Sequence, residues 1–577
     1  MNALKKILIV KLLAGMFFMT SCNHDDFLTR DNPNAITEQT FWQSESDAEA
    51  ALTTVYAALQ YQSISGGHLT YEMIRGDLGG TNDWVKHFPY TELIIPDNSR
   101  PVFNKWAECY NGIFRANQVI DNIPTMEVLS EERKTEILSQ ARFLRAFFYF
   151  ELVHTFGGGV IKTSSKITDH NIPFSDATEV TNQVILGDLE YAMEHLPLTR
   201  ASADLGRSTW GMATTLLGKV YLYNKEWTKA AVEFKKVIDS GLYQLSSNYA
   251  ENFRHDVLYN SESIMEVPFD GSINSGAQDA SNVDDSGDVS GGESTKLARW
   301  YGPYSLGGWQ GMMPTYWAHE LMVADSVAGS NAHSSRYNAT LAGRDAEGLY
   351  YNKTPADLKT EVPRRWGNGE SSYVKKYANW YHMDLENIEN RSSINYKHMR
   401  LADVFLMYAE AVLEGEGDLS TAIEYIDKVR SRAGVVTIQD YINNDGGIPQ
   451  LHISQEIHGA HPIVPATIDN IRTHLRMVER PTELAFENTR WRDLVRWGMV
   501  KDVFTSHHND ELIRIERFQK RIDDAKENEL PTPAPLPPLY IEGRVRPDFV
   551  NNWNFYTSGK HDYFPIPSAE VQANEAI

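Results

Sequence analysis

The chain has 577 residues, a formal net charge of −23 at pH 7 and two cysteines. This acidic balance argues against a nucleic-acid partner, because phosphate binding needs clustered lysine and arginine. Cys22 and Cys109 are too few for a disulfide framework or a multi-cysteine metal site. At this length a large hydrophobic core forms without covalent cross-links.

The first 21 residues have the three parts of an export signal. They contain a basic start at Lys5 and Lys6, an apolar stretch over residues 7–19, and two small polar residues before Cys22. The apolar stretch is shorter than the roughly 20 residues that a membrane span needs. With a cysteine at the junction, the segment resembles a bacterial lipoprotein signal, in which that cysteine is acylated and becomes the new N-terminus.

Residues 1–21 carry three lysines and no acidic residue, so their removal takes the net charge from −23 to −26. Later in the chain we find no candidate membrane span, so membrane contact is expected only through the lipid on Cys22. The acidic residues 23–26 resemble the sorting signal that sends some Bacteroidetes lipoproteins to the outer face of the outer membrane. A hydrated, flexible tether is the alternative interpretation of this segment, and the two are compatible.

Helical spacing of apolar residues predicts a mostly α protein. The first helix is expected over residues 47–59, with Ser46 as its N-cap. A second is expected over residues 104–123, ended by Pro124. The third, over residues 131–156, is strongly apolar and is followed by three glycines, which are typical of a helix stop.

A repeat signature follows in residues 209–242. A tetratricopeptide unit is a pair of helices whose small and large residues interlock at fixed positions. Gly218 and Ala230 occupy small positions of this pattern, and Tyr221 and Phe234 occupy large ones. Similar helix pairs are predicted at about 131–196 and 401–433, and a further helix over 481–497. Three or more such pairs bury a continuous core.

Between these helices lie segments rich in glycine and aromatic residues without helical periodicity, at about residues 66–100 and 270–400. Residues 531–538 read PTPAPLPP, which is typical of a polyproline connector. The predicted fold class is therefore mostly α. It is a tetratricopeptide-like helix-pair scaffold with long irregular aromatic-rich loop insertions, expected to form a single domain over residues 22–577.

The irregular segments are the expected ligand-binding regions. Proteins grip a neutral sugar with flat aromatic rings and with polar groups that pair with its hydroxyls, and such residues concentrate on loops. The candidates are Arg75, Asp77, Asn82, Asp83 and Trp84 in the first region, and Trp300, Tyr301, Trp309 and Trp317 in the second. Further candidates are Arg365–Trp366 and Trp380–Tyr381. For each ring the alternative is burial inside the loop core.

One segment has the spacing of a calcium-binding loop. Oxygen-bearing Asn282, Asp284, Ser286 and Glu293 fall at positions one, three, five and twelve of residues 282–293. Asn282 replaces the usual aspartate, and no flanking helices are predicted, so a solvated loop is the alternative. No other cofactor is expected, and we find no nucleophile-elbow or zinc-protease motif in the sequence.

Several blocks in order resemble the SusD/RagB family. They lie at residues 141–158 (ARFLRAFFYFELVHTFGG), 208–245, 395–434, 479–498 (ERPTELAFENTRWRDLVRWG) and 563–574 (YFPIPSAEVQAN). The resemblance implies a cell-surface lipoprotein that binds oligosaccharide or polysaccharide and delivers it to a SusC-like TonB-dependent transporter, without catalysis. In this family comparable loops build the glycan site, which supports Trp84 and one of Trp300, Trp309 and Trp317.

Two other functions stay open. Some relatives import peptides, and a surface glycoside hydrolase would need two carboxylates at a fixed separation, which the many acids do not exclude. The charged residues of the shared blocks are expected to form ion pairs that build the scaffold. These are Arg142, Arg145, Glu410, Arg430, Glu483, Glu487, Arg490, Arg492, Asp493 and Arg496. Pro481 departs from the family pattern and predicts a shifted helix start.

Overall fold

The computed structural model describes residues 41–81, 87–272, 294–303, 306–330, 332–343, 346–354, 372–387, 391–531, 540–541, 544–545 and 548–577. Several predictions lie outside these residues. They concern the lipid anchor at Cys22, the candidates Asn82, Asp83 and Trp84, the calcium candidates Asn282, Asp284, Ser286 and Glu293, and the pair Arg365–Trp366. The signal segment and the single-domain organisation also stay predictions.

The described residues are mostly helical. The helices up to the first long loop region are α1 Glu45–Ala57, α2 Thr70–Met73, α3 Phe88–Thr91, α4 Arg100–Asn122, α5 Glu131–Phe156, α6 Ala177–Val180, α7 Leu186–His195, α8 Trp210–Tyr223 and α9 Trp227–Asp239. Those that follow are α10 Leu297–Tyr301, α11 Tyr316–Ala324, α12 Ser335–Thr340, α13 Leu401–Gly415, α14 Leu419–Ala433, α15 Ile438–Asp445, α16 Gln455–His458, α17 Ile468–His474, α18 Arg480–Glu483, α19 Arg490–Trp497, α20 Val500–Glu527, α21 Asn552–Phe555 and α22 Ser568–Ala573.

The strands are short and pair two by two, always antiparallel. They are β1 Gly79–Gly80, β2 Gly158–Val160, β3 Phe174–Asp176, β4 Ser263–Val267, β5 Met313–Pro314, β6 Leu341–Gly343, β7 Ser372–Val374, β8 Tyr396–Arg400, β9 Ile448–Pro449, β10 Ile463–Val464, β11 Tyr540–Ile541 and β12 Arg544–Val545. The pairs are β1 with β5, β2 with β3, β4 with β8, β6 with β7, β9 with β10 and β11 with β12. The predicted mostly α fold class is confirmed. None of the helices in the described ranges is long and apolar enough to cross a membrane.

The predicted helix pairs stack into one continuous array. Helix α5 packs on α4 and α7, α7 packs on α8, and α8 packs on α9. Helix α9 then packs directly on α13, and α13 on α14, although α9 and α13 are separated by the long insertion of residues 240–400. The insertion therefore leaves the stack intact and is carried on it, because each helix pair needs a neighbour to bury its apolar side.

The first helix begins earlier than predicted. Ser44, and not Ser46, is the N-cap: its side chain accepts a hydrogen bond from the Asp47 N–H, and the Asp47 carboxylate accepts one from the Ser44 N–H at 2.8 Å. This reciprocal arrangement satisfies two amide groups at once and is the capping box. Either serine fits an N-cap by residue type, and each is followed three positions later by an acidic residue, Asp47 or Glu49, so the local sequence does not separate them.

Gly218 lies against the Phe234 ring in the α8–α9 pair. A Cβ atom placed on Gly218 would lie 2.7 Å from the Phe234 ring, and Phe234 is fully buried. The small residue thus lets the ring of the second helix approach the backbone of the first, as the repeat signature predicts.

Replacing Gly218 with alanine is expected to lower the free energy of unfolding by about 1–3 kcal/mol, because the ring must move to make room. Gly187 in α7 is the matched control, since a Cβ atom there meets nothing within 4 Å. Alanine at Gly187 should raise the free energy of unfolding by about 0.5–1 kcal/mol through helix propensity. Urea denaturation of both variants measures the change in the free energy of unfolding. Equal changes at the two sites would contradict the packing argument.

The helix predicted over residues 481–497 is wrong. A continuous helical run covers residues 468–483 and includes one π-helical turn, Leu475–Glu479, just before Pro481, which lacks the N–H that an α-helix needs. The chain then leaves the helix and resumes it at Arg490. Buried Lys376 accounts for the break, because its ammonium group binds the carbonyl oxygens of Glu483 and Ala485 at 3.1 and 2.8 Å.

The prediction that the charged residues of the shared blocks build the scaffold is confirmed for most of them. The ion pairs are Arg145–Asp188, Arg430–Asp325, Arg430–Glu479, Arg432–Glu483, Arg400–Glu487, Arg490–Asp77, Arg492–Glu151, Asp493–Arg480 and Arg496–Glu410. Arg142 differs, since its guanidinium lies 4.3 Å from the centroid of the Tyr191 ring. Residues 479–497 contribute to most of these ion pairs, and the pairs connect the helix stack with the insertion.

Helix α4 carries a buried carboxyl group, Glu108, that accepts a hydrogen bond from the Ser63 N–H at 2.7 Å. Burial raises the pKa of Glu108 to about 8, although the Ser63 hydrogen bonds lower it in part. A carboxyl whose pKa rises on folding stabilises the fold below its unfolded pKa of about 4.3 and loses that contribution as the pH rises.

The variant Glu108→Gln tests the raised pKa of Glu108, because glutamine does not titrate. Between about pH 4.5 and 8 the free energy of unfolding of the wild type should fall relative to the variant, by up to about 1.4 kcal/mol for each pH unit. Urea denaturation at three pH values across this range measures the difference. A difference independent of pH would contradict the raised pKa.

Candidate functional site

The two predicted ligand-binding stretches meet in space. Strand β1 pairs with β5, with Gly79 opposite Pro314 and Gly80 opposite Met313. Beside this ladder the Thr315 N–H donates to the Leu78 carbonyl at 2.9 Å, and the Thr315 hydroxyl donates to the Asp77 carbonyl at 2.7 Å. Two segments that lie more than 200 residues apart in the chain thus form one structural unit, although the sequence alone predicts them as separate loops.

Aromatic rings form a column from the core to the surface at this junction. Tyr71 stacks on His87 with centroids 4.4 Å apart, and His87 contacts Trp300 at 4.6 Å. Trp300 in turn contacts Trp309 at 4.7 Å, edge to face. The first three rings are buried and Trp309 is partly exposed. Inner rings therefore support the outermost one, which is the arrangement a rigid binding platform requires.

A tight backbone turn holds Trp309 in place. The Trp309 N–H donates to the Arg299 carbonyl at 2.6 Å, and the Gly311 N–H donates to the Trp300 carbonyl at 2.9 Å. Gly311 is needed here, because a Cβ atom would lie 2.4 Å from the Trp300 ring. The Arg299 guanidinium lies over the Trp309 ring, 4.6 Å from its centroid, and its Nε donates to the Gly307 carbonyl at 3.1 Å, so one face of the ring is held by a cation–π contact.

The described residues end at Thr81 and resume at His87, so the candidates Asn82, Asp83 and Trp84 lie outside them. Thr81 follows β1, and His87 packs on Trp300. Neither Arg299 nor His87 is among the ligand contacts predicted from the sequence. Arg299 directly precedes the tryptophan–tyrosine pair, and that adjacency is a signal that could have identified it.

Arg75 is not exposed to a ligand in this structure, in contrast to its predicted role. Its guanidinium lies between the rings of Trp491 and Phe564, at 4.2 and 4.8 Å from their centroids, and donates to the His561 carbonyl at 2.6 Å. Burial lowers the pKa of Arg75 to about 9. Arg75 therefore holds the C-terminal segment against the body of the protein.

The Asp77 side chain is fully buried, and its carboxylate is hydrogen-bonded and paired with Arg490. Both carboxylate oxygens accept hydrogen bonds from Arg490, at 2.7 Å each, and His507 lies 3.3 Å away. Burial alone would raise the pKa of Asp77, but Arg490 and His507 hold it below its ordinary value. This carboxylate stays charged and fixes the loop, and it does not point to solvent as the sequence analysis expected.

Trp300, Tyr301 and Trp317 are also buried, in contrast to their predicted role as ligand contacts. Tyr301 is fully buried and donates to the Phe486 carbonyl at 3.3 Å. The Trp317 ring N–H donates to the His452 carbonyl at 3.0 Å. Of the four candidates Trp300, Tyr301, Trp309 and Trp317, Trp309 is thus the one whose ring reaches the surface, and Trp300 serves as its support.

Two cavities lined by described residues are too small for a sugar. One, lined by Glu151, Lys219, His398 and Arg492, has a volume of about 30 Å³, and one beside Trp317 and Glu511 has about 10 Å³. A water molecule occupies about 30 Å³ of liquid, and ligand pockets usually measure about 300–1,000 Å³. Within the described ranges no group of three or more His, Cys, Asp or Glu side chains could hold a metal ion.

Comparison with known proteins agrees with this architecture. The sequence profile of the SusD family matches residues 261–577, more than half of the chain. The chain belongs to the SusD family. A second profile, described as starch-binding and associating with the outer membrane, matches residues 26–222 of this SusD-family protein.

Individual relatives cover nearly the whole chain. A SusD-like protein of Formosa agariphila is 26% identical over 523 residues, which are 86% of this chain and 91% of that one. The crystal structure of a SusD superfamily protein from Bacteroides vulgatus superposes with a TM-score of 0.70 at 21% identity, covering 93% of this chain and 98% of that one. A laminarin-binding SusD-like protein superposes with a TM-score of 0.65 at 23% identity, covering 92% and 98%. The last two similarities establish the fold of this SusD-family protein.

Proposed function

We propose that this SusD-family protein binds oligosaccharide or polysaccharide on the cell surface and delivers it to a SusC-like TonB-dependent transporter, without cleaving it. The observation that carries the proposal is the Trp309 ring, which is partly exposed and is supported from below by Trp300 and His87. A rigid, partly exposed ring held by a guanidinium is suited to the face of a pyranose. Trp84, Asn82 and Asp83 stay proposed ligand contacts on the basis of their residue types.

Two further observations support a sugar ligand and surface binding. A structural neighbour is a laminarin-binding protein, and a family profile is described as starch-binding. The Trp309 ring reaches the surface, where a long polymer chain can contact it. The proposed anchor is the lipid on Cys22, which keeps the protein beside its transporter on the outer face of the outer membrane.

Binding and cleavage are tested separately. The purified protein, without residues 1–21, is run in native gels that contain laminarin, amylopectin, xylan, mannan or dextran, and retardation reports binding. New reducing ends in the same mixtures report hydrolysis. We expect retardation by at least one polymer and no new reducing ends. Retardation by none of the polymers together with binding of peptides would replace this proposal by peptide uptake, and new reducing ends would replace it by a hydrolase.

The partner and the anchor are tested in cells that produce the protein. Affinity purification from solubilised membranes should recover a TonB-dependent barrel together with the wild type. The variant Cys22→Ala should be released from the cell surface and should retain polymer binding once purified. Recovery of the wild type without any barrel would contradict the proposed partner.

A further inference from the structure

A second group of rings reaches the surface where three loops meet. The loops are residues 254–258, 348–353 and 379–386. The His255 N–H donates to the Tyr381 hydroxyl oxygen at 2.6 Å, and the Tyr351 N–H donates to the Trp380 carbonyl at 3.0 Å. The Asn352 amide donates to the Asp384 carboxylate at 2.6 Å. Each pair of hydrogen-bonded loops fixes the position of the rings between them.

The rings form a compact, partly exposed cluster. The imidazole of His255 stacks on that of His382 with centroids 4.1 Å apart and planes 28° apart. The Tyr381 ring lies 4.5 Å from His382 and 5.6 Å from Trp380. His382 is exposed, and Trp380, Tyr381 and His255 are partly exposed. We name Trp380, Tyr381 and His382 the second platform.

The second platform is braced from beneath. Lys375 is buried, and its ammonium group lies 3.9 Å from the centroid of the Trp380 ring. Because Lys375 lies on the protein side, the exposed part of Trp380 is its edge or its opposite face. This cation–π contact restrains the ring, as Trp300 restrains Trp309 in the first site.

The surroundings of the second platform are polar with largely balanced charge. Arg254 lies 4.5 Å from the Tyr381 centroid, and its guanidinium is paired with Asp256 through two hydrogen bonds of 2.8 and 2.7 Å. Burial, together with His255, lowers the pKa of His382 to about 4, so this ring is neutral at pH 7. Rings with hydrogen-bonding groups at their edges, beside a paired Arg254 and a neutral His382, fit a neutral sugar.

One small hydrophobic core joins the second platform to the Trp309 site. Leu306, three residues before Trp309, packs with Tyr350 and Tyr351, and Trp380 packs against the same cluster. The Glu386 N–H donates to the Leu306 carbonyl at 2.7 Å, so the loop after Tyr381 is bonded directly to the loop before Trp309. The two ring surfaces are therefore held in a fixed relation on adjoining loops.

We propose that the second platform is a further sugar-binding subsite, and that one neutral polysaccharide chain occupies it together with Trp309. The inference rests on the proposed function, because it concerns the ligand of the same protein. Binding at two points makes the second contact intramolecular, which raises affinity by roughly 10²–10⁴ without any change at the first site. The protein then selects long chains over short ones.

The test compares chain lengths. The variants Tyr381→Ala/His382→Ala and His382→Ala are titrated by calorimetry with a polymer that retards the wild type in the panel above, and with the tetrasaccharide of the same linkage. The single variant His382→Ala is expected to fold like the wild type, because the His382 side chain is exposed. His170→Ala, at another exposed histidine, is the matched control. Thermal unfolding verifies that each variant is folded.

We expect both platform variants to bind the tetrasaccharide as the wild type does, and the double variant to lose at least about tenfold in affinity for the polymer. Polymer affinity equal to that of His170→Ala would overturn the second subsite and leave the proposed function standing, provided that Trp309→Ala loses binding. Equal losses for polymer and tetrasaccharide would overturn two-point binding. If none of the polymers retards the wild type, the proposed function fails and this inference fails with it.

Discussion

Replacing Arg400 with methionine is expected to lower the free energy of unfolding by about 3–5 kcal/mol. Arg400 is buried and binds three buried carboxylates, Glu262 at 2.7 Å, Glu483 at 2.6 Å and Glu487 at 2.8 Å. Methionine fills much of the same volume but removes the charge, so the carboxylates lose a shared partner where water cannot replace it. Urea denaturation at pH 7 measures the loss.

Arg472→Met is the matched control for this prediction. Arg472 pairs with Glu414 at 2.6 Å, but its side chain is 28% exposed. Water therefore compensates for most of the lost pairing, and the expected cost is about 1 kcal/mol or less. Similar losses in the two variants would contradict the argument that burial makes the Arg400 cluster important.

The Arg400 prediction also has a pH signature. Burial alone would raise the pKa of Glu262, but Arg432 and Arg400 lower it to about 2. A carboxylate with a lowered pKa stabilises the fold above its unfolded pKa of about 4.3 and loses that contribution as the pH falls towards 2. The difference in the free energy of unfolding between the wild type and Arg400→Met should therefore become smaller below about pH 4.5. A larger difference at low pH would contradict the lowered pKa of Glu262.

Replacing Trp309 with alanine is expected to weaken polysaccharide binding by about 30-fold or more, equivalent to about 2 kcal/mol. Trp309 is the partly exposed end of the aromatic column, and its loss removes both the apolar surface and the stacking partner of the sugar ring. Calorimetric titration with a polymer that retards the wild type measures the change.

Trp210→Ala is the matched control for Trp309→Ala. Trp210 is also partly exposed, but it begins helix α8 of the tetratricopeptide-like stack. Its replacement should leave the affinity for polysaccharide unchanged. Thermal unfolding confirms that both variants are folded. Unchanged affinity in a folded Trp309→Ala variant would remove this ring from the binding site.

The helix pairs could be predicted because their signals are local. The apolar spacing in residues 131–156 and the position of Gly218 against Phe234 act within one or two helices, and the structure confirms them. The break at residues 484–489 could not be predicted, since it depends on Lys376, more than 100 residues away in the chain. The stacking of α9 on α13 likewise depends on how the chain returns after the insertion.

The candidate site shows the same division. Residue types alone placed aromatic and polar side chains in two loop regions, and both regions do meet at the β1–β5 ladder. Residue types could not tell Trp309 from Trp300 and Trp317, because burial depends on contacts with distant segments. Arg75 packs against Trp491, and Asp77 pairs with Arg490. Both partners lie more than 400 residues later in the chain, and both contacts are buried.

The sequence by itself determined the fold class, the helix pairs and the resemblance to the SusD family, because local periodicity and the order of motifs carry that information. Only the tertiary structure decided which ring of the aromatic stretches reaches the surface and which charges lie inside. Exposure is a property of the whole packed chain: a tryptophan or an arginine is available to a ligand only where no other segment has covered it.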